Sequence, residues 1–220
     1  MNNVLPNLRP DLQAIAQMIA PGSRVLDVGC GDGALLEHLA RNRQVDARGI
    51  ELSQQNVNMC VARGLSVLQG DADTDLAAYP SQVFDTVILS QTIQATRAPR
   101  IVLDHLLRIG RHVVISFPNF GHWRIRLSLL FKGRMPQTRF LDQHWHTTPN
   151  IHLCTIADFL SLAAEADAEV EKVVALSEEG RTRTVKPDAW GPNLFAEGAI
   201  FLIRARRTTQ GGQKAPPHVL

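Results

Sequence analysis

Leu8, Leu12, Ile15 and Ile19 recur at intervals of three and four, so residues 8–20 read as an amphipathic helix that Pro21 and Gly22 break. Arg24–Val28 then reads as a short buried strand, followed by a glycine cluster and the helical pattern Leu35, Leu36, Leu39. The next apolar run, 47–52, carries an acid near its end, and Val57, Cys60 and Val61 continue as a helix. Ser66–Gln69, Phe84–Leu89 and Arg111–Phe117 are three more strand candidates, with Pro99 opening a helix between the last two. Ile156, Phe159, Leu160 and Ala163 mark another helix, and strands follow near Ala168–Leu176 and Ala199–Ala205. Seven strands alternating with helices predict an α/β fold, a mostly parallel sheet covered on both faces. The rhythm is interrupted once, at 118–154, by a segment richer in Arg, His and Trp. The tail, 208–220, has Gly-Gly and Pro-Pro pairs and no apolar period, so it reads as disordered.

The 220 residues suit one large domain over 1–207, with 118–154 as a lid or insert. A hydrophobic share of 45% against 20% charged residues is that of an ordinary globular chain. A formal net charge of +2 argues against a nucleic-acid partner, which calls for a basic stripe. Cys30, Cys60 and Cys154 are odd in number and far apart, the pattern of reduced thiols in a cytoplasm. No apolar run approaches the roughly 20 residues that span a bilayer, so no membrane role is expected.

The most informative stretch is Val25–Gly33, where a strand enters a turn with Gly29, Gly31 and Gly33. A side chain at Gly29 or Gly31 would block a ligand approaching the backbone. Because Gly29, Gly31 and Ala34 also satisfy the dinucleotide pattern, the turn alone does not choose between cofactors. The neighbouring acids favour S-adenosylmethionine. Asp27 precedes the turn by two residues, where a carboxylate attracts a cationic amino group and repels a pyrophosphate. Glu51 ends the second strand, placed to accept from both ribose hydroxyls, a use common to either cofactor. Asp71 follows the third strand, where it can accept the exocyclic amine of adenine. Leu52 and Ala72, next to these acids, join the candidate binding set with Cys30. Cys30 reads either as a small packing residue or as a thiol activated at a helix N-terminus.

Asp27-x-Gly29-x-Gly31-x-Gly33 with Glu51 and Asp71 resembles the class I S-adenosylmethionine-dependent methyltransferases over roughly residues 20–205. That resemblance implies a Rossmann-like fold, a seven-stranded sheet in the order 3-2-1-4-5-7-6 with strand 7 antiparallel. It also implies S-adenosylmethionine or S-adenosylhomocysteine as the ligand. The Asn/Asp-Pro-Pro-Tyr tetrapeptide of base-amino methyltransferases is missing after the fourth strand, where Ser90–Thr96 stands instead. Gln91 there would lie near the ligand or cap a loop.

Ligands of open α/β sheets bind at the carboxyl ends of the strands, so the 118–154 insert should cover or border the site. Trp123, Leu127, Leu130 and Phe131 share one helical face, with Arg124, Arg126, Lys132 and Arg134 elsewhere on the segment. That face packs on the domain, docks a partner, forms a lid or touches a membrane. His144, His146, His152 and Cys154 match no familiar zinc spacing, and no metal is expected. His144 and His152 are candidates for a general base. Methyl transfer needs alignment more than a base, so the lack of an obvious base does not exclude an enzyme.

The segments 27–33, Ser90–Gln94, Phe117–Trp123 and Thr148–His152 together are similar to the MetW family of methionine biosynthesis proteins, over roughly residues 10–205. This similarity implies a cytoplasmic protein that supports homoserine O-acyltransferase as a partner. It supplies no methyl acceptor. Two functions stand side by side: a ligand-binding partner of the acyltransferase, and an active methyltransferase on a small molecule.

Overall fold

The computed structural model describes residues 8–138, 141, 143–177 and 179–206, so the 208–220 tail lies outside the described residues. The chain runs α1 (Pro10–Met18), β1 (Arg24–Val28), α2 (Ala34–Arg43), β2 (Asp46–Glu51), α3 (Gln54–Ala62), β3 (Ser66–Gln69) and β4 (Phe84–Ser90). It continues through α4 (Pro99–Ile109), β5 (Gly110–Pro118), α5 (Trp123–Lys132), α6 (Ile156–Glu165), β6 (Ala168–Leu176), β7 (Thr182–Val185), α7 (Gly191–Phe195) and β8 (Gly198–Ala205). The local reasons are visible at the helix ends. Proline opens α1 and α4, Ser53 caps α3, and Thr155 with Asp158 forms a full capping box on α6.

The strands form one sheet in the order β3-β2-β1-β4-β5-β8-β6-β7. β1 to β5 pair in parallel, while β8 runs antiparallel between β5 and β6. The arrangement is the expected one with one correction: there are eight strands, because β7 adds an edge beside β6. Thr182–Val185 offers no apolar alternation to read, since it is largely exposed and held by hydrogen bonds from one neighbour. A turn in which Ser177 N–H donates to the Arg181 carbonyl (2.9 Å) reverses the chain into it.

The period of two along the strands divides the core between the sheet's faces. Along β4, Val87 and Leu89 join α4 and α6, whereas Ile88 joins α1 and α2 on the other side. Phe117, Phe159 and Phe201 meet at centroid distances of 4.6–5.7 Å, all buried, and tie β5, α6 and β8 together. Asn119, fully buried, fastens the start of the insert. Its Nδ2 donates to the Asn193 and Ala196 carbonyls (3.0 and 2.8 Å), and its Oδ1 accepts from Gly121 and Ile156 N–H groups. Among the described residues no helix is long and apolar enough to cross a membrane.

Candidate functional site

The first strand delivers its carboxyl end to the centre of the sheet, between β2 and β4, and the chain must turn there without blocking the opening. Gly29 and Cys30 N–H groups both donate to the Ile50 carbonyl (2.8 and 3.2 Å), pinning the bend to β2. Gly29, Gly31 and Gly33 take φ of +74°, +57° and +79°, the left-handed region that favours glycine. The three are required for different reasons. A Cβ on Gly29 would lie 2.7 Å from Thr92 Oγ1, and one on Gly33 would lie 2.6 Å from Leu65 and 2.8 Å from the Cys60 sulfur. A Cβ on Gly31 would meet nothing within 4 Å. Gly31 alone of the three faces open space.

That space is a hollow of about 910 Å³, with Asp27, the glycine turn, Ser90, Gln91 and Thr92 in its wall. Asp27 is 2% exposed, and its Oδ1 is buried with no hydrogen-bond partner. Burial, and secondarily the charge of Glu51, pushes its carboxyl up to about 7. A buried carboxylate with an orphaned oxygen is costly unless a cation or donor meets it. The amino group of a methionine moiety is such a cation, and the side-chain-free edge at Gly31 leaves room for the rest of the ligand. The residues fit S-adenosylmethionine.

Glu51 sits behind the turn, 8% exposed. Its Oε2 accepts from Gly31 N–H (2.8 Å) and its Oε1 from Ser53 N–H (2.9 Å), with the Asn56 amide at 3.4 Å. A carboxylate takes about four donors, so ribose hydroxyls would share it with the turn's own backbone. Cys30 turns inward: a Cβ on Gly49 would lie 2.7 Å from its sulfur, and burial, then the charge of Asp27, drives its thiol far above the ordinary range. It packs and is not an activated nucleophile. Leu52 is 66% exposed beyond the end of β2. Asp71 is held by Arg97 Nη2 (2.7 Å), and Ala72 packs partly buried against the core. Leu52, Asp71 and Ala72 thus lie beyond the second and third strands and outside the wall of the hollow. Glu51 and Gly33 are also outside that wall, whereas Asp27, Gly29, Cys30, Gly31 and Gln91 line it.

A residue that the sequence reading passed over partitions the site. Asp11 on α1 is 3% exposed, and its Oδ2 accepts from Gln91 Nε2 (2.9 Å) and Arg9 Nη2 (3.0 Å). Gln91 itself holds φ +50°, fixed by its N–H on the Ser116 carbonyl (2.8 Å). The signal was legible: Asp11 lies four residues before Ile15, on the helix face that must be buried. Arg9 and Gln91 also border a second cavity of about 390 Å³, closed on its far side by the insert, with Met135, His144, Trp145 and Leu153. His144 belongs to this second cavity, where it stacks on His146 (5.5 Å). His152 is exposed and anchored by its N–H to the Gln94 carbonyl (2.9 Å). Neither histidine reaches the hollow under Gly31. Among the described residues no group of three or more His, Cys, Asp or Glu converges as a metal site does.

A parallel sheet with the order 3-2-1-4-5, an antiparallel strand beyond β5, and an acid-flanked glycine turn at the carboxyl edge define a Rossmann-like methyltransferase fold. A solved S-adenosylmethionine-dependent methyltransferase from Thermotoga maritima, described as a possible histamine N-methyltransferase, matches 90% of this chain and 88% of its own. The TM-score is 0.65 at 17% identity. The family model of the methionine biosynthesis protein MetW matches residues 9–203, and the chain belongs to the MetW family. It is 34% identical over 203 residues to the bifunctional methionine biosynthesis protein MetXA/MetW of Rhodopirellula baltica. That match takes in 88% of this chain and 32% of the relative. It is 26% identical over 160 residues to ajmaline N-methyltransferase of Rauvolfia serpentina, covering 68% of this chain and 53% of that one. The chain therefore spans about a third of the first relative's length and about half of the second's.

Proposed function

We propose that residues 1–207 form one domain that binds S-adenosylmethionine, or S-adenosylhomocysteine, and supports homoserine O-acyltransferase as its partner in methionine biosynthesis. The observation that carries the ligand is the orphaned Asp27 oxygen in the wall of a hollow whose rim, at Gly31, is bare of side chain. In this reading Asp27 meets the amino group and the Gly29–Gly33 backbone lies along the methionine moiety. Glu51 takes the ribose, with Leu52, Asp71 and Ala72 around the adenine and Gln91 at the inner end. The partnership is supported by the Rhodopirellula relative, whose name joins MetXA and MetW in one polypeptide. A ligand that binds the associated and free forms unequally shifts the balance between them, so a metabolite derived from methionine would set the amount of active complex.

A second reading, a methyltransferase acting on a small molecule, is favoured by the 390 Å³ cavity that shares Arg9 and Gln91 with the hollow. The ligand would supply an activated methyl group, and the chain's task would be to align an acceptor and exclude water. His144 is a side chain of that cavity with a base's chemistry.

Calorimetry with S-adenosylmethionine, followed by acyltransferase assays with and without the chain, tests the proposal. Saturable binding together with a gain in acyltransferase activity supports the partner reading. Turnover to S-adenosylhomocysteine in a cell extract lacking the acyltransferase moves the assignment to the enzyme. Absence of binding at millimolar ligand removes both.

A further inference from the structure

Helix α5 is held to the domain by one side. Of its ten residues only Ile125 is buried, and Arg126 Nε secures the helix base through the Gly121 carbonyl (2.6 Å). At 100° per residue, Trp123, Leu127, Leu130 and Phe131 fall within an arc of about 100° on the side away from Ile125. All four are open to solvent, Leu130 and Phe131 at 73% and 78%. An apolar stripe of this width ordinarily faces a core. Here it faces outward, and the packing on the domain that the sequence allowed does not occur.

The charged residues along the segment are of one sign. Between residues 120 and 138 stand Arg124, Arg126, Lys132 and Arg134, with no Asp or Glu. Arg124 and Arg126 flank the stripe on opposite sides of the wheel. The Arg124 guanidinium also lies over the Trp123 ring, 5.3 Å from its centroid. Exposed aromatic and aliphatic side chains bordered by arginine are the composition of an interface centre.

We infer that this outward stripe of α5 is the docking surface for the acyltransferase, inserted as a helix into an apolar groove with an acidic rim. The inference rests on the partner reading above and adds the place of contact. A protein groove suits it better than a lipid surface, because the stripe is under three helical turns long.

The test uses the full-length chain and the purified homoserine O-acyltransferase of the same organism, with association followed by sedimentation velocity and biolayer interferometry. Phe131→Ala should weaken association at least about tenfold, as removal of a central aromatic does. Leu130→Glu with Phe131→Glu should abolish it, while circular dichroism and the S-adenosylmethionine affinity stay at wild-type values. Raising salt from about 50 to about 300 mM should weaken the wild-type complex, in keeping with an acidic rim. If the wild type associates and the double variant associates equally, α5 is not the surface although the partner reading survives. If the wild type does not associate at all, the partner reading and this inference fall together. Binding of the wild type to phosphatidylserine vesicles in place of the acyltransferase would make the stripe a lipid-contacting surface and overturn the inference.

Discussion

Replacing Asp27 by asparagine separates what the fold wants at this position from what the ligand wants. In the ligand-free chain the carboxyl is almost wholly buried at the wall of the hollow, and burial raises its protonation midpoint from 3.8 to about 7. A group that holds its proton more tightly folded than unfolded stabilises the fold most below its unfolded value. That advantage is lost as pH rises from about 4 to about 7. The full difference corresponds to at most about 4 kcal/mol, since each pH unit is worth about 1.4 kcal/mol. The asparagine side chain has nearly the same shape and no charge to bury. Urea unfolding should therefore find Asp27→Asn more stable than wild type at pH 8, by up to about 4 kcal/mol, with the gap closing towards pH 4. Ligand affinity should move the other way. Losing a hydrogen bond to a charged group costs about 1.5–3 kcal/mol, so calorimetry should find S-adenosylmethionine bound about ten- to a hundredfold more weakly. Wild-type binding near pH 6 should also release a proton, because the cationic ligand favours the ionised carboxylate. A variant less stable at pH 8, or one with wild-type affinity, would refute the argument.

Other substitutions follow from the same geometry. Gly31→Ala meets open space but a φ of +57°, so it should cost about 1–2 kcal/mol of stability while lowering ligand affinity more sharply. Gly33→Val drives a branched side chain into Leu65 and Cys60 and should give little folded protein on thermal unfolding, with or without ligand. Glu51→Ala should weaken S-adenosylmethionine by about 1.5–3 kcal/mol and speed hydrogen exchange at the Gly31 amide, which loses its acceptor. Asn119→Ala leaves buried carbonyls and N–H groups of the insert and α7 unpaired, and should cost about 3 kcal/mol in urea with normal ligand affinity.

The sheet was legible chiefly through β4, β5 and β8, whose apolar runs are buried on both faces and leave little other composition open to them. Thr182–Val185 escaped because an edge strand is held by backbone bonds, which leave no mark on side-chain pattern. The glycine turn could be read as a candidate site, but the separate reasons for its glycines could not. Thr92 and Cys60 press on Gly29 and Gly33 from distant parts of the chain, and long-range contact is invisible to local pattern. Asp27 was singled out as a candidate from spacing alone. Its orphaned oxygen, and the role of Asp11 in joining Arg9 to Gln91, needed three segments brought together in space. For α5 the sequence supplied the apolar face and left its direction open, because a stripe reads identically whether it points inward or outward.

Amide chemical shifts of the Gly29–Gly33 turn, followed by NMR as S-adenosylmethionine is added, bear most directly on the placement of the ligand. Large saturable shifts at Gly31 and its neighbours, with Trp145 in the second cavity unmoved, are the expected result. Shifts confined to the insert, or none at millimolar ligand, would contradict it.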